Sequence, residues 1–223
     1  MTRTLIRRAL AEGLGTAFLV MAVVGSGIAA SRLSPDDTGL QLLQNSVATG
    51  AALVALILAL QPVSASFNPV VTAVERLRAD IDSATAATLV AAQLAGGLGG
   101  VVLANLMFEL DAVSVAATDR SSAGLWLAEV VATAGLVLVV FGTLRSSSVQ
   151  NVAFAVGGYI AAAYWFTSST SFANPAVTLA RTLSDTFAGI APASAATYVL
   201  AQVVGGGLGW LVTRVLFPSE ETD

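Results

Sequence analysis

The sequence predicts an all-α membrane protein: six transmembrane helices plus two re-entrant half-helices, arranged as an inverted repeat of three plus three. Three observations lead there. The 223 residues are 56% hydrophobic and 11% charged, with a mean hydropathy of +0.81, which is far too apolar for a water-soluble domain. Six segments are apolar over the roughly 20 residues that a helix needs to cross about 30 Å of hydrocarbon. Finally, the stretch FNPVVTAVERLR at 67–78 returns as FANPAVTLARTL at 172–183, each Asn-Pro opening an apolar run of about ten residues. Such a run makes a helix of about 15 Å, half a bilayer.

The elements follow in order. MTRTLIRRAL begins like the charged region of a signal peptide, but the long apolar segment after it has no small-residue cleavage site, so it is expected to remain as span one, 10–30. SRLSPDDTG carries turn residues and charge and reads as a surface loop before span two, 40–60. The first Asn-Pro half-helix precedes span three, 85–107. FELDAVSVAATDRSS is a second surface loop, followed by span four, 125–144. The short RSSS turn leads to span five, 149–166; the second Asn-Pro half-helix and span six, 195–217, complete the chain.

The second half echoes the first. AEGLGTAFLVMAVVG from Ala11 resembles AEVVATAGLVLVVFG from Ala128, and AAQLAGGLGG from Ala91 resembles LAQVVGGGLG from Leu200. Asn45 stands 23 residues before Asn68, and Asn151 stands 23 before Asn174. The chain is therefore expected to be one channel domain, 1–223, built of repeats at about 8–107 and 122–217. Three spans per repeat is an odd number, so the second copy enters from the opposite face and the half-helices meet near the midplane. Asn is among the best N-caps and Pro the best first helical residue, so Asn68-Pro69 and Asn174-Pro175 each start a half-helix. Irregular backbone at that depth is tolerated only beside a water-filled cavity or inside protein. The two Asn side chains are thus expected to offer N–H donors to a pore, with the positive ends of the half-helices repelling cations.

Composition narrows the function. There is no Cys and no His, so thiolate metal sites, disulfides and the commonest general base are missing; no catalytic residue, cofactor or metal site is expected. Every basic residue is Arg and the net charge is -4, which argues against nucleic acid as a partner. With the amino terminus inside, Arg3, Arg7, Arg8, Arg76, Arg78, Arg145 and Arg214 fall on the inner side and only Arg32, Arg120 and Arg181 on the outer. The positive-inside rule then puts both termini in the cytoplasm, and the acidic tail SEETD has no vote.

At these residues the chain resembles the aquaporin or major intrinsic protein family. The paired Asn-Pro loops, Glu12/Thr16 with Glu129/Thr133, and the Ala-Gln-x-x-Gly-Gly stretches carry the resemblance over nearly the whole chain. It implies passive conduction of water or small neutral solutes through one pore per subunit of a homotetramer. The motifs here read Asn68-Pro69-Val70 and Asn174-Pro175-Ala176; Val70 stands where the family usually has Ala, and its bulk is expected to alter the packing of the helix tips. The family's His before the first loop is absent, so whatever it does at the cytoplasmic side of the pore is done by Ser66 or not at all.

The family's outer constriction has four positions. One directly follows the second motif and is ordinarily Arg; here it is Val177. Counting back from Asn174 gives Ser171 and Ala162, and the second span contributes Thr49. Arg181, two turns along its half-helix, is expected nearer the outer mouth than the filter. A ring of Thr49, Ala162, Ser171 and Val177 is wide and nearly uncharged, which suits solutes bulkier than water with several hydroxyls. YWFTSSTSFANPAVTLAR is similar to a bacterial aquaglyceroporin-like subgroup associated with arsenic resistance, implying arsenite as As(OH)3, methylated arsenicals or glycerol-like polyols, and residence in a bacterial inner membrane.

Simpler roles compete with these. Intramembrane Glu12 and Glu129 suggest proton coupling, but their symmetry favours hydrogen bonding to the re-entrant loops. Tyr159, Tyr164, Trp165 and Phe166 are expected to pack or sit at the interface, Thr72 and Thr178 to bond within their own half-helices, and the Gly runs to let helices approach. The alternatives to a channel are an ion- or proton-coupled secondary transporter, or a non-conducting structural membrane protein.

Overall fold

A computed structural model describes residues 2–146 and 149–218; Ser147 and Ser148 of the RSSS turn and the SEETD tail lie outside the described residues. Six long helices surround two short ones: α1 (Arg3–Leu33), α2 (Thr38–Leu60), α4 (Ser83–Met107), α5 (Ala123–Ser146), α6 (Val149–Phe166) and α8 (Pro192–Leu216), with α3 (Pro69–Leu77) and α7 (Pro175–Ala180) as the half-helices. A single 3₁₀ turn, Arg181–Leu183, extends α7. Five of the long helices are long and apolar enough to cross a membrane, and α6, at 18 residues, is the shortest.

The outer surface is lipid-compatible because each long helix keeps large apolar side chains outward. In α1, Leu10, Leu14 and Phe18 are exposed while Glu12, Leu19, Val20 and Val23 are buried, so the usual sense of polar outside is reversed where a carboxylate has partners within. In a bilayer the hydrophobic effect does not drive helices together; close backbone packing does. Thus α1 packs on α4, and α5 on α8, at matching glycines. A Cβ on Gly96 would run into the Gly13 carbonyl, and one on Gly205 into the Val130 carbonyl.

The half-helices begin as the sequence predicts. Asn68 caps α3 and Asn174 caps α7, each in extended backbone, with Pro in the first helical position. The residues before them, Phe67 (φ 47°) and Ala173 (φ 48°), are forced into the left-handed region without being glycine. That conformation is costly for a side-chain-bearing residue and is held by its surroundings. Its use is evident: it turns the Phe67 and Ala173 carbonyls toward the opposite loop, where each accepts from an asparagine.

The segment 108–122 is not a free loop. It lies along the connection between α7 and α8, where Ser114 N–H donates to the Leu183 carbonyl (3.1 Å) and Ala116 N–H to that of Thr182 (2.9 Å).

Candidate functional site: a channel between the half-helices

The two loops are each held by one buried carboxylate. Glu12 accepts from Ser64 Oγ (2.6 Å), Ser66 N–H (2.9 Å), Phe67 N–H (2.7 Å) and Gln93 Nε2 (2.8 Å). Glu129 accepts from Ser169 Oγ (2.6 Å), Phe172 N–H (2.9 Å), Ala173 N–H (2.9 Å) and Gln202 Nε2 (2.6 Å). These are charge-assisted bonds to backbone that would otherwise lack partners at membrane depth. Gln93 and Gln202 then donate to Thr72 and Thr178, fixing each half-helix to α4 or α8. Thr178 also donates back to the Asn174 carbonyl (2.8 Å). None of these four supporting residues lines the cavity.

Between the loops the asparagines are interlocked. Asn68 Nδ2 donates to the Ala173 carbonyl (2.8 Å), and Asn174 Nδ2 to the Phe67 carbonyl (2.7 Å). Each Oδ1 is occupied by the first turn of its own helix, from Val70 N–H (2.9 Å) or Ala176 N–H (3.0 Å). An amide carries two N–H donors, so one on each Asn stays available, and both residues line a cavity of about 310 Å³ that passes between them. Pro69, Val70, Pro175 and Ala176 do not line it.

Val70 does not crowd the pore. Its side chain occupies the space that a Cβ on Gly206 would need, so α8 absorbs the bulk that the sequence led us to expect at the helix tips.

At one end of the cavity, Thr49, Ser171 and Val177 line the wall, but Ala162 does not; it is exposed on the opposite side of α6. The cavity face of α6 runs Val152, Val156, Ile160, Tyr164, a spacing of four that repeats roughly once per turn. Ala162 lies two residues from this line, about 200° round the helix. The count back from Asn174 carried over the family's spacing, and here the span from the α6 wall to the motif is ten residues. Tyr164 therefore takes the place assigned to Ala162, buried, with its hydroxyl 3.2 Å from Thr49 Oγ1. It is a wall residue rather than interfacial packing, whereas Trp165 and Phe166 are exposed outward. Ser171 Oγ is buried with no partner.

A second correction concerns charge. Arg181 is 2% exposed and lines the same cavity, so this end is not uncharged. Its Nε donates to the Ala188 carbonyl, and its guanidinium stacks 3.3 Å from the centre of the Phe172 ring. Arg120 approaches that ring from 5.2 Å, and Tyr198 meets it edge-on. No described residue accepts from the terminal amino groups of Arg181, which leaves them as donors to the cavity. At the other end the wall includes Arg8, Ser66 and Glu75, and Ser66 Oγ donates to Glu75 Oε1 (2.7 Å). Sequence reasoning gave Tyr164 a packing role, set Arg181 toward the outer mouth and passed over Glu75; the four-residue spacing on α6 and the shared offset of seven from each Asn were the available signals.

The arrangement, two half-helices meeting tip to tip beside a cavity lined by both repeats within six long helices, is matched by known proteins. A sequence model of the family described as Major intrinsic protein matches residues 1–151. The chain belongs to that family. This major intrinsic protein is 47% identical over 202 residues to Aquaglyceroporin AqpS of Rhizobium meliloti (strain 1021), covering 90% of the chain and 86% of the relative. Its fold matches the X-ray structure of the aquaglyceroporin from Plasmodium falciparum with a TM-score of 0.75, over 96% of this chain and 98% of that one, at 18% identity. It is a membrane channel for small neutral solutes, and not an enzyme.

Proposed function

We propose that this channel conducts uncharged solutes larger than water, glycerol-like polyols and arsenite as As(OH)3, by passive flow. The observation that carries the reading is Val177: the position directly after Asn174-Pro175-Ala176 presents a small apolar wall where a long cationic one would narrow the passage. Facing it, Thr49 and Tyr164 supply hydroxyls, and Arg181 supplies fixed donors from the wall. A solute with several hydroxyls can exchange its water shell for such groups on one side while its carbon or metalloid face meets Leu53, Val156 and Ile160 on the other. The name of the AqpS relative supports a polyol among the cargo.

The same reading takes Asn68 and Asn174 as midpoint donors, Glu12 and Glu129 as loop supports, and the chain as one domain of two inverted repeats assembled as a homotetramer in lipid. Coupled transport through Glu12 or Glu129 is disfavoured because each carboxylate already accepts four hydrogen bonds. The inward bias of Arg supports a bacterial inner-membrane orientation with both termini cytoplasmic.

Stopped-flow light scattering on proteoliposomes tests the reading. Wild type passes water, glycerol and arsenite, while Val177→Arg keeps water and loses glycerol and arsenite by at least about tenfold, the effect of a barrier raised by about 1.4 kcal/mol. Equal glycerol permeability in the two proteins would remove Val177 from the constriction, and water alone through wild type would overturn the proposed cargo.

A further inference from the structure

Two half-helices related by an inverted repeat share equivalent positions, and those seven residues beyond each Asn are Glu75 and Arg181. Both line the same cavity, toward opposite ends. The rest of the channel's fixed polarity is positive: the free amide N–H of Asn68, that of Asn174, the Arg181 guanidinium without an anionic partner, and Arg8 in the wall at the Glu75 end. A passage lined in this way repels cations but attracts small anions. Glu12 and Glu129 weaken this field from behind the loops, but they stand outside the lining and present no oxygen to a permeating anion.

Glu75 is the acidic side chain among the described lining residues. Its Oε1 accepts from Ser66, and its Oε2 is buried with no donor. The charged groups around it are Arg8 and Glu12 from α1 and Asp80 beyond α3. Arg8 stays beyond ion-pair distance, and Arg78 pairs with Asp80 instead. Glu75 is thus a wall carboxylate that no cation neutralises by contact.

We propose that Glu75 is the specificity-determining residue of the end that the preceding reading places in the cytoplasm, excluding the anions that the Arg181 end admits. The inference rests on the channel reading above. A weak oxyacid then crosses as the protonated, uncharged species, and its conjugate base, though drawn in at Arg181, stops at Glu75. The opposite charges at equivalent positions divide the work: donors at one end, an anion barrier at the other.

The test uses the full-length protein in proteoliposomes with two readouts, glycerol permeability by light scattering and chloride influx by an entrapped chloride-sensitive dye under a potassium diffusion potential. Wild type passes glycerol, and its chloride influx equals that of protein-free vesicles. Glu75→Gln retains glycerol permeability and raises chloride influx by at least about tenfold, the lower range for a focused field in a low-dielectric cleft. Glu75→Asp keeps chloride out. Glu75→Gln/Arg181→Gln returns influx to the baseline, since the attraction is gone as well. Chloride influx in Glu75→Gln at the protein-free level, with glycerol retained, overturns the proposal, as does loss of glycerol permeability in both Glu75→Gln and Glu75→Asp, which would make the residue a fold support. Failure of wild type to pass glycerol instead refutes the cargo reading and is told apart by the first readout alone.

Discussion

Replacing Glu129 with Gln keeps the shape of the side chain and removes one acceptor oxygen. Each oxygen now receives two bonds: Oε1 from Ser169 Oγ and Phe172 N–H, Oε2 from Ala173 N–H and Gln202 Nε2. Whichever oxygen becomes NH2, two buried donors face a donor, at about 1–3 kcal/mol for each bond lost. If the amide sits on the Oε2 side, Gln202 can rotate and present its unpartnered Oε1, recovering one bond but releasing Thr178 Oγ1. The net cost comes to about 2–4 kcal/mol, which for a chain of this length lowers the thermal midpoint by roughly 10 °C. By the repeat, Glu12→Gln behaves alike. The assay is thermal unfolding of the purified protein in detergent, with glycerol permeability of the reconstituted variants beside it. A midpoint within about 2 °C of wild type would refute the argument. If that came with a flux that had lost a pH dependence present in wild type, the carboxylates would be proton carriers and the channel would be a coupled transporter.

Two further outcomes are expected. Gly206→Ala places a methyl group against Val70 and costs about 1–3 kcal/mol; Val70→Ala in the same chain relieves it, so a double-mutant cycle of thermal midpoints gives a strong favourable coupling, and additive losses would refute the contact. Asp119, in the segment before α5, has its carboxyl held below the ordinary value by hydrogen bonds from Ser121 and Ser194. A carboxyl whose folded pKa is depressed contributes stability that is present above its unfolded pKa and lost as pH falls through the folded one. Acidification below the usual carboxylate range therefore lowers the wild-type midpoint more than that of Asp119→Asn, as thermal unfolding against pH will register.

The fold was legible because its signals are redundant. Apolar length marks the long helices, and Asn-Pro marks a helix start wherever it falls, since capping and the missing proline N–H are local chemistry. The carboxylates were legible for a different reason: Glu12 and Glu129 recur in equivalent places, and a charge kept at membrane depth in both halves needs partners that also recur. The wall of the channel was harder to read. Which side of α6 faces inward depends on how that helix is rotated against α2, and rotation is set by tertiary packing, such as the close approach of Gly50 and Gly157. An offset of two residues in the loop therefore transferred the wall from Tyr164 to Ala162. Arg181 was expected nearer the outer mouth, and the sequence could not show that it lines the cavity; stacking on Phe172 and the bond to the Ala188 carbonyl hold the guanidinium against the wall.

What the two halves share and where they part follow separate logics. The residues three beyond each Asn, Val71 and Val177, are identical, line the cavity, and keep both halves of the passage apolar. The shared carboxylates, glutamines and threonines build the same support twice, so neither half can change them without loosening its own loop. Substitutions at the wall meet no such constraint, because a wall side chain answers to the solute and not to the partner repeat. Glu75 opposite Arg181, and Ser66 bonding Glu75 while Ser171 keeps its hydroxyl unpartnered, are the places where this channel differs end from end. A passive pore needs no asymmetry to conduct, so charges of opposite sign at equivalent wall positions bear on which species pass.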